Sequence, residues 1–143
     1  MNRERAESHT ANVAGKIKSL RKMSELEVED MITLAEEMGR RLSSREVDLK
    51  RSQIRRFLDA VKKIEAQVKR NPEQFSRESL LLLKPKLAYA TGRLREGKNN
   101  PLGPFQEVID PAIDRVKDYA DFMRFANFME SIIAYHRFHG GKE

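Results

Sequence analysis

The chain has 143 residues, of which 39% are hydrophobic and 35% charged, enough for one domain with a real core and too few for two. It contains no cysteine, which excludes a disulfide framework and a thiolate zinc site. The net charge is +6. Residues 49–98 hold 14 basic and 5 acidic side chains, a net charge of +9, so the whole positive excess lies in this segment. That concentration is typical of a surface that binds a polyanion, although a solvated lysine-rich face would give the same count.

The N-terminal residues are charged and lack the apolar segment of a signal peptide. The longest apolar run, Leu80 to Leu83, is far too short to span a membrane. We therefore expect a cytoplasmic protein with no membrane partner.

Residues 1–23 are polar and only weakly periodic, which predicts a mobile N-terminal arm before a single helical-bundle domain over residues 24–141. Ser24 and Glu27 have the spacing of a capping box, so the first firm helix is predicted to start at Ser24 and to run to about Leu42. Its predicted apolar face consists of Val28, Met31, Ile32, Ala35, Met38 and Leu42.

A second helix is predicted from about Lys50 to Arg70, because apolar residues recur there at helical spacing. Basic residues flank this apolar stripe or point outward from it, and they predict a nearly continuous cationic surface: Arg51, Arg55, Lys62 and Lys69 on the flank, and Arg56, Lys63 and Arg70 outward. Glu65 falls within the apolar sector, where we expect it to pair with an arginine from elsewhere in the fold.

Asn71-Pro72 ends the second helix, and Ser76 is a suitable cap for a third helix over about Arg77 to Glu96, stopped by Gly97. Proline in the middle of a helix removes a hydrogen bond, so Pro85 should kink or split this one. The cationic surface continues along it through Lys84, Lys86, Arg93 and Arg95. Tyr89 lies between two of these cations but is also a candidate for the core. A basic surface without exposed aromatic rings favours contacts with phosphates over base recognition.

A short helix is predicted around Phe105 to Ile109. Asp110-Pro111 resembles a cap followed by an N1 proline, which predicts a long last helix from there to about Phe138, ended by Gly140-Gly141. This helix carries more apolar surface than one helix–helix seam needs, so we expect it to pack against several neighbours or a second subunit. The fold class predicted from these elements is an all-α, single-domain bundle of about five helices with a long C-terminal helix.

The sequence contains little that indicates catalytic activity. It has no P-loop, dinucleotide fingerprint, Ser-His-Asp elbow or HExxH sequence. His136 and His139 have a spacing that could hold a metal ion, but two histidines facing a helix C-terminus are the more common explanation. We therefore expect no enzymatic activity, no cofactor and no metal.

Three segments resemble one known family. They are Ser52 to Phe57 followed by Val61 to Glu65; the run LKPKLAYATGR from Leu83 to Arg93; and Phe125 to His136 followed by Gly140-Gly141. In this order they are similar to the helical small-subunit family of type III-A CRISPR–Cas (Csm) effector complexes. One departure is Met129-Glu130-Ser131, where the family more often has Phe-Glu-Ala.

The resemblance implies a non-catalytic subunit, present in several stacked copies, that contacts the duplex of guide RNA and target RNA beside the other Csm subunits. The family pattern coincides with Arg55, Arg56, Lys62, Lys63, Lys86 and Arg93. The candidate RNA-binding residues are thus Arg51, Arg55, Arg56, Lys62, Lys63, Lys69, Lys84, Lys86 and Arg93. The residues alone leave two alternatives open: a basic helical DNA-binding protein of the regulator or nucleoid type, and a protein–protein scaffold.

Overall fold

The computed structural model describes residues 2–94 and 100–143, with side chains from Thr10 onward. These residues contain helices and turns but no strand, which confirms the all-α fold class. None of the described helices is long and apolar enough to cross a membrane. The α-helices are α1 (Asn2–Ser19), α2 (Val28–Ser43), α3 (Arg51–Arg70), α4 (Arg77–Leu81), α5 (Leu83–Arg93), α6 (Leu102–Asp114) and α7 (Tyr119–Phe138).

Helix α7 packs most extensively against α2, with further contacts to α3 and to the turn at Met23–Glu25. Its large apolar side chains are almost completely enclosed by the rest of the chain: Phe122, Phe125, Phe128, Met129 and Ile132. The apolar excess predicted for this segment is therefore buried against several neighbouring elements within one chain. Helix α3 lies between α5 and α7 and contacts both.

The N-terminal segment differs from the sequence prediction of an arm apart from the domain. Asn2–Ser19 forms helix α1, which packs on α6 and α2, and Val13, Ala14 and Ile17 are buried in the common core. The arm prediction depends on weak periodicity, and a polar sequence does not reveal that a few apolar residues such as Val13 and Ile17 find partners on other helices. Mobility of residues 1–23 stays a prediction.

Helix α2 begins later than its capping-box pattern predicts. A 3-10 turn occupies Met23–Glu25, and α2 starts at Val28. The Ser24 amide donates to the carboxylate of Asp121, 2.9 Å away on α7, so a tertiary contact holds this residue out of the helix. The apolar face is also rotated: Leu34 is buried, whereas Val28 and Ile32 are 51% and 40% exposed.

The predictions for α3 and the following segment are confirmed. Helix α3 ends at Arg70 before Asn71-Pro72, and the Ser76 hydroxyl caps α4 by accepting from the Ser79 amide. The predicted third helix is split at Leu82, because Pro85 has no N–H to donate to the carbonyl of Leu81, four residues before it. The predicted stop at Gly97, like Arg95, lies outside the described residues.

The prediction of one long helix from Asp110 to Phe138 is wrong. Pro111 lies inside α6, which continues to Asp114, and α7 begins only after Asp118, whose carboxylate caps it. Two arginines stabilise the break. The Arg77 guanidinium donates to the carbonyls of Asp114 and Val116, and that of Arg115 donates to the carbonyls of Pro111, Lys18 and Leu20. Carbonyls that lose helical partners thus find side-chain donors.

Candidate nucleic-acid interface

Helix α3 presents the candidate interface because its apolar stripe faces inward. Six side chains at i, i+3 and i+4 spacing are buried: Ile54, Phe57, Leu58, Val61, Ile64 and Val68. The basic side chains between them are consequently turned to the surface. The first turn of α3 is fixed by the C-terminal segment, since the amides of Arg51 and Ser52 donate to the carbonyls of Lys142 and Glu143 at 3.0 and 2.9 Å.

A groove of about 790 Å³ runs between α3 and α5, and we call it the α3–α5 groove. It brings together three of the predicted residues, namely Arg56 from α3 and Lys86 and Arg93 from α5. All three are exposed, and no described residue that lines the groove is acidic. This concave surface therefore carries three cations and no carboxylate among its described lining residues.

The opposite flank of α3 holds a second group of predicted residues. Arg51, Arg55 and Lys62 border a pocket of about 270 Å³ together with Asp59 and Glu143. The two carboxylates offset part of the positive charge, so this flank attracts an anion less strongly than the α3–α5 groove does. Lys63 is exposed on α3 but lines neither concavity.

The remaining two predicted residues are already engaged in ion pairs. The Lys69 ammonium lies 2.9 Å from the carboxylate of Glu65, one turn earlier in α3, and this hydrogen bond raises the pKa of Lys69. The Lys84 ammonium lies 2.6 Å from the carboxylate of Asp114 on α6, away from the groove. An RNA phosphate would have to compete with these carboxylates, so Lys69 and Lys84 are the weaker candidates.

Glu65 pairs with a lysine and not with the arginine that the sequence prediction named. The Glu65 side chain also interacts with the carboxyl of Glu130 on α7. Partial burial and the neighbouring Glu65 carboxyl raise the pKa of Glu130 above its ordinary value, while Lys69 and Lys62 oppose this shift. The pair lies at the α3–α7 contact, beside a small and largely apolar pocket.

One functional candidate was underestimated from sequence. Tyr89 is not part of the core: its side chain is 69% exposed and lines the α3–α5 groove. Its position in the α5 sequence does contain the signal, because Leu83 and Leu87 define the buried face and Tyr89 lies off it. The cationic groove therefore includes an accessible aromatic ring, contrary to the prediction of a surface without one.

Comparison with protein families gives a match over most of the chain. Residues 25–142 match the family model described as Csm2 Type III-A. The chain belongs to the Csm2 type III-A family. This confirms the resemblance to the small subunits of type III-A Csm complexes. No curated protein matches the chain.

The Csm2 match includes every candidate residue from Arg51 to Arg93 and begins after α1 has ended at Ser19. Helix α1 is thus an addition to the matched region, although it packs on matched helices α2 and α6. Both sides of the α3–α5 groove fall within the Csm2 match.

The two histidines near the C-terminus of this Csm2-family chain have separate environments. His136 is buried, and its Nε2 lies 2.6 Å from the carbonyl oxygen of Leu49; His139 lies 3.8 Å from the carboxylate of Glu36. In the part of the chain that the structure describes, no group of three or more potential ligands could hold a metal ion. The His136 contact joins α7 to the segment before α3, which is a structural role.

Proposed function

We propose that this Csm2-family subunit is a non-catalytic, cytoplasmic component of antiviral defence that contacts the duplex of guide RNA and target RNA through its basic helical surface. The observation that carries the proposal is the convergence of Arg56, Lys86 and Arg93 on one groove that no described carboxylate lines. In this proposal copies of the subunit associate with one another and with the other Csm subunits to form a filament along the duplex.

The proposed contacts are with phosphates, which explains how a surface rich in Arg and Lys serves any guide sequence. Phosphate contacts position a nucleic acid but carry no sequence information. Base pairing with the guide then supplies the specificity, and the protein supplies charge and shape. Such contacts release counterions, so affinity should fall steeply with salt. The isolated subunit should accordingly bind single-stranded or duplex RNA weakly and without sequence preference.

The decisive experiment reverses three charges in the assembled complex. We expect Arg56→Glu, Lys86→Glu and Arg93→Glu, which change the three cations of the α3–α5 groove, together to abolish retention of target RNA, because each change replaces an attraction to phosphate with a repulsion. A matched control reverses Lys16, Lys18 and Lys117, which are equally exposed but lie on other elements. Co-purification of the other subunits must be the same for both variants, so that lost retention reports RNA contact and not failed assembly.

Retention of target RNA by an intact complex carrying the first triple variant would refute the assignment of this surface. In the free protein, the slope of log affinity against log salt should become shallower by about 2 to 3 for three lost phosphate contacts. Competition with DNA separates the proposal from a DNA-binding regulator, which would prefer DNA over RNA. A protein–protein scaffold would show no salt-dependent RNA retention.

A further inference from the structure

Tyr89 is the aromatic residue in the middle of a cationic helix face. It lies three residues after Lys86 and four before Arg93, so the three side chains share one face of α5. The ring is 69% exposed, whereas the tyrosines at 119 and 135 are half-buried. A large ring left in solvent between two cations is ready to stack on a planar partner.

The floor of the α3–α5 groove is apolar. Ile54 and Phe57 from α3 and Leu87 from α5 line the groove and are almost completely buried, so they lie at its base. The cations stand around this floor, with Arg56 on the α3 side and Lys86 and Arg93 on the α5 side. A surface that contacts only phosphates has no use for an apolar floor, because phosphate oxygens require polar or charged partners.

A nucleotide combines the two features that the groove offers. Its base has apolar π-faces that stack on aromatic side chains, and its phosphate is an anion that Arg and Lys bind. We propose that the α3–α5 groove binds an unstacked nucleobase of RNA against the ring of Tyr89, with the adjoining phosphates on Arg56, Lys86 and Arg93. This inference rests on the proposed function and specifies which form of RNA this part of the surface recognises.

The consequence is a preference for unpaired over paired nucleotides without a preference for sequence. Every base has a π-face, so stacking tolerates all four bases. In a continuous duplex both faces of each base are covered by its neighbours, and Tyr89 has nothing to stack on. The groove therefore binds RNA where a nucleotide leaves the helical stack, while the remaining cations of α3 bind the backbone of paired segments.

The test uses the full chain with a short single-stranded RNA of one repeated base and with a duplex of equal phosphate number. We expect Tyr89→Ala to weaken single-strand binding by about 5- to 150-fold, the range for loss of one base–aromatic stack, and to leave duplex binding unchanged. Tyr89→Phe should retain single-strand affinity because it keeps the ring. Phe138→Ala removes another exposed ring, 77% accessible and outside the groove, and should have no effect.

Tyrosine fluorescence provides a second measurement, because the chain contains no tryptophan to mask it. Single-stranded RNA should quench the wild-type protein more than Tyr89→Phe at the same bound fraction. Equal single-strand affinities of wild type and Tyr89→Ala, or an equal loss for duplex, would overturn the base-binding inference and leave the proposed function intact. If the wild-type protein binds no RNA at low salt, the base-binding inference and the proposed function both fail. If Tyr89→Ala releases another Csm subunit with RNA affinity unchanged, the groove is a protein contact and the inference is wrong.

Discussion

Gly39 marks the closest approach of α2 and α7, and replacing it by alanine tests how tightly these helices are packed. A Cβ at residue 39 would lie 2.5 Å from the Cβ of Tyr135 and 2.6 Å from the backbone nitrogen of His136. Carbon atoms pack best at about 3.5 to 4.0 Å, so the helices would have to separate by about 1 Å. The obstructing atoms belong largely to the backbone and cannot rotate away.

The expected cost of Gly39→Ala follows from two opposing terms. Overpacking a well-filled interior costs about 1 to 3 kcal/mol, and the upper end applies because a whole helix must move. Alanine regains about 1 kcal/mol of helix propensity relative to glycine. We therefore expect the free energy of unfolding to fall by about 2 kcal/mol, which urea denaturation followed by circular dichroism will measure.

Gly15 provides the matched control within the same chain. It lies in α1, and a Cβ there would have no atom within 4 Å. Gly15→Ala should therefore raise the free energy of unfolding by about 0.5 to 1 kcal/mol through helix propensity alone. Opposite signs for the same substitution would demonstrate that packing, and not propensity, determines the result at residue 39. A Gly39→Ala protein as stable as the wild type would refute the close helix contact.

Two further predictions concern stability. The raised pKa of Glu130 means that the fold favours its protonated form. The stability that protonated Glu130 contributes to the fold is fully present below the ordinary pKa of a glutamate. It is lost as the pH rises through the raised pKa of Glu130 in the folded protein. Urea denaturation should give Glu130→Gln the same free energy of unfolding as the wild type at about pH 3 and a higher one at about pH 7. A difference in free energy that does not change with pH would contradict this prediction. Arg115→Met removes three side-chain hydrogen bonds, two of them to the carbonyls of residues 18 and 20 at the end of α1. The free energy of unfolding should fall by about 1 to 3 kcal/mol. Amide hydrogen exchange in residues 10–19 should accelerate in this variant but not in the control Arg70→Met. Fast exchange of these amides already in the wild type would instead support a mobile N-terminal arm.

The basic residues of this chain fall into two groups with different roles. Arg77 and Arg115 use their guanidinium groups to satisfy backbone carbonyls near the α6–α7 break, and Lys84 pairs with Asp114 in the same region. Arg56 and Lys86 form no salt bridge within the described chain and face solvent in the groove. The count of basic residues is therefore larger than the number of cations that are free to bind RNA. The side-chain contacts within the chain show which cations those are.

The sequence by itself determined the features that depend on near neighbours. The extent of α3 follows from its apolar periodicity and from Asn71-Pro72, and the split before α5 follows from Pro85. Each of these is decided within about four residues, the range of a helical hydrogen bond. The placement of the excess charge in residues 49–98 likewise needs only counting.

Only the tertiary structure decided the features that depend on distant partners. Asp121 holds the Ser24 amide across 97 positions of sequence, and at the α6–α7 break the Arg115 guanidinium donates to the carbonyls of Lys18 and Leu20, far earlier in the chain. The same holds for the interface, where packing pairs Lys84 with Asp114 and places α5 beside α3 to form the groove. Local pattern determines which residues face outward from a helix, but what lies opposite them depends on contacts between segments far apart in the chain.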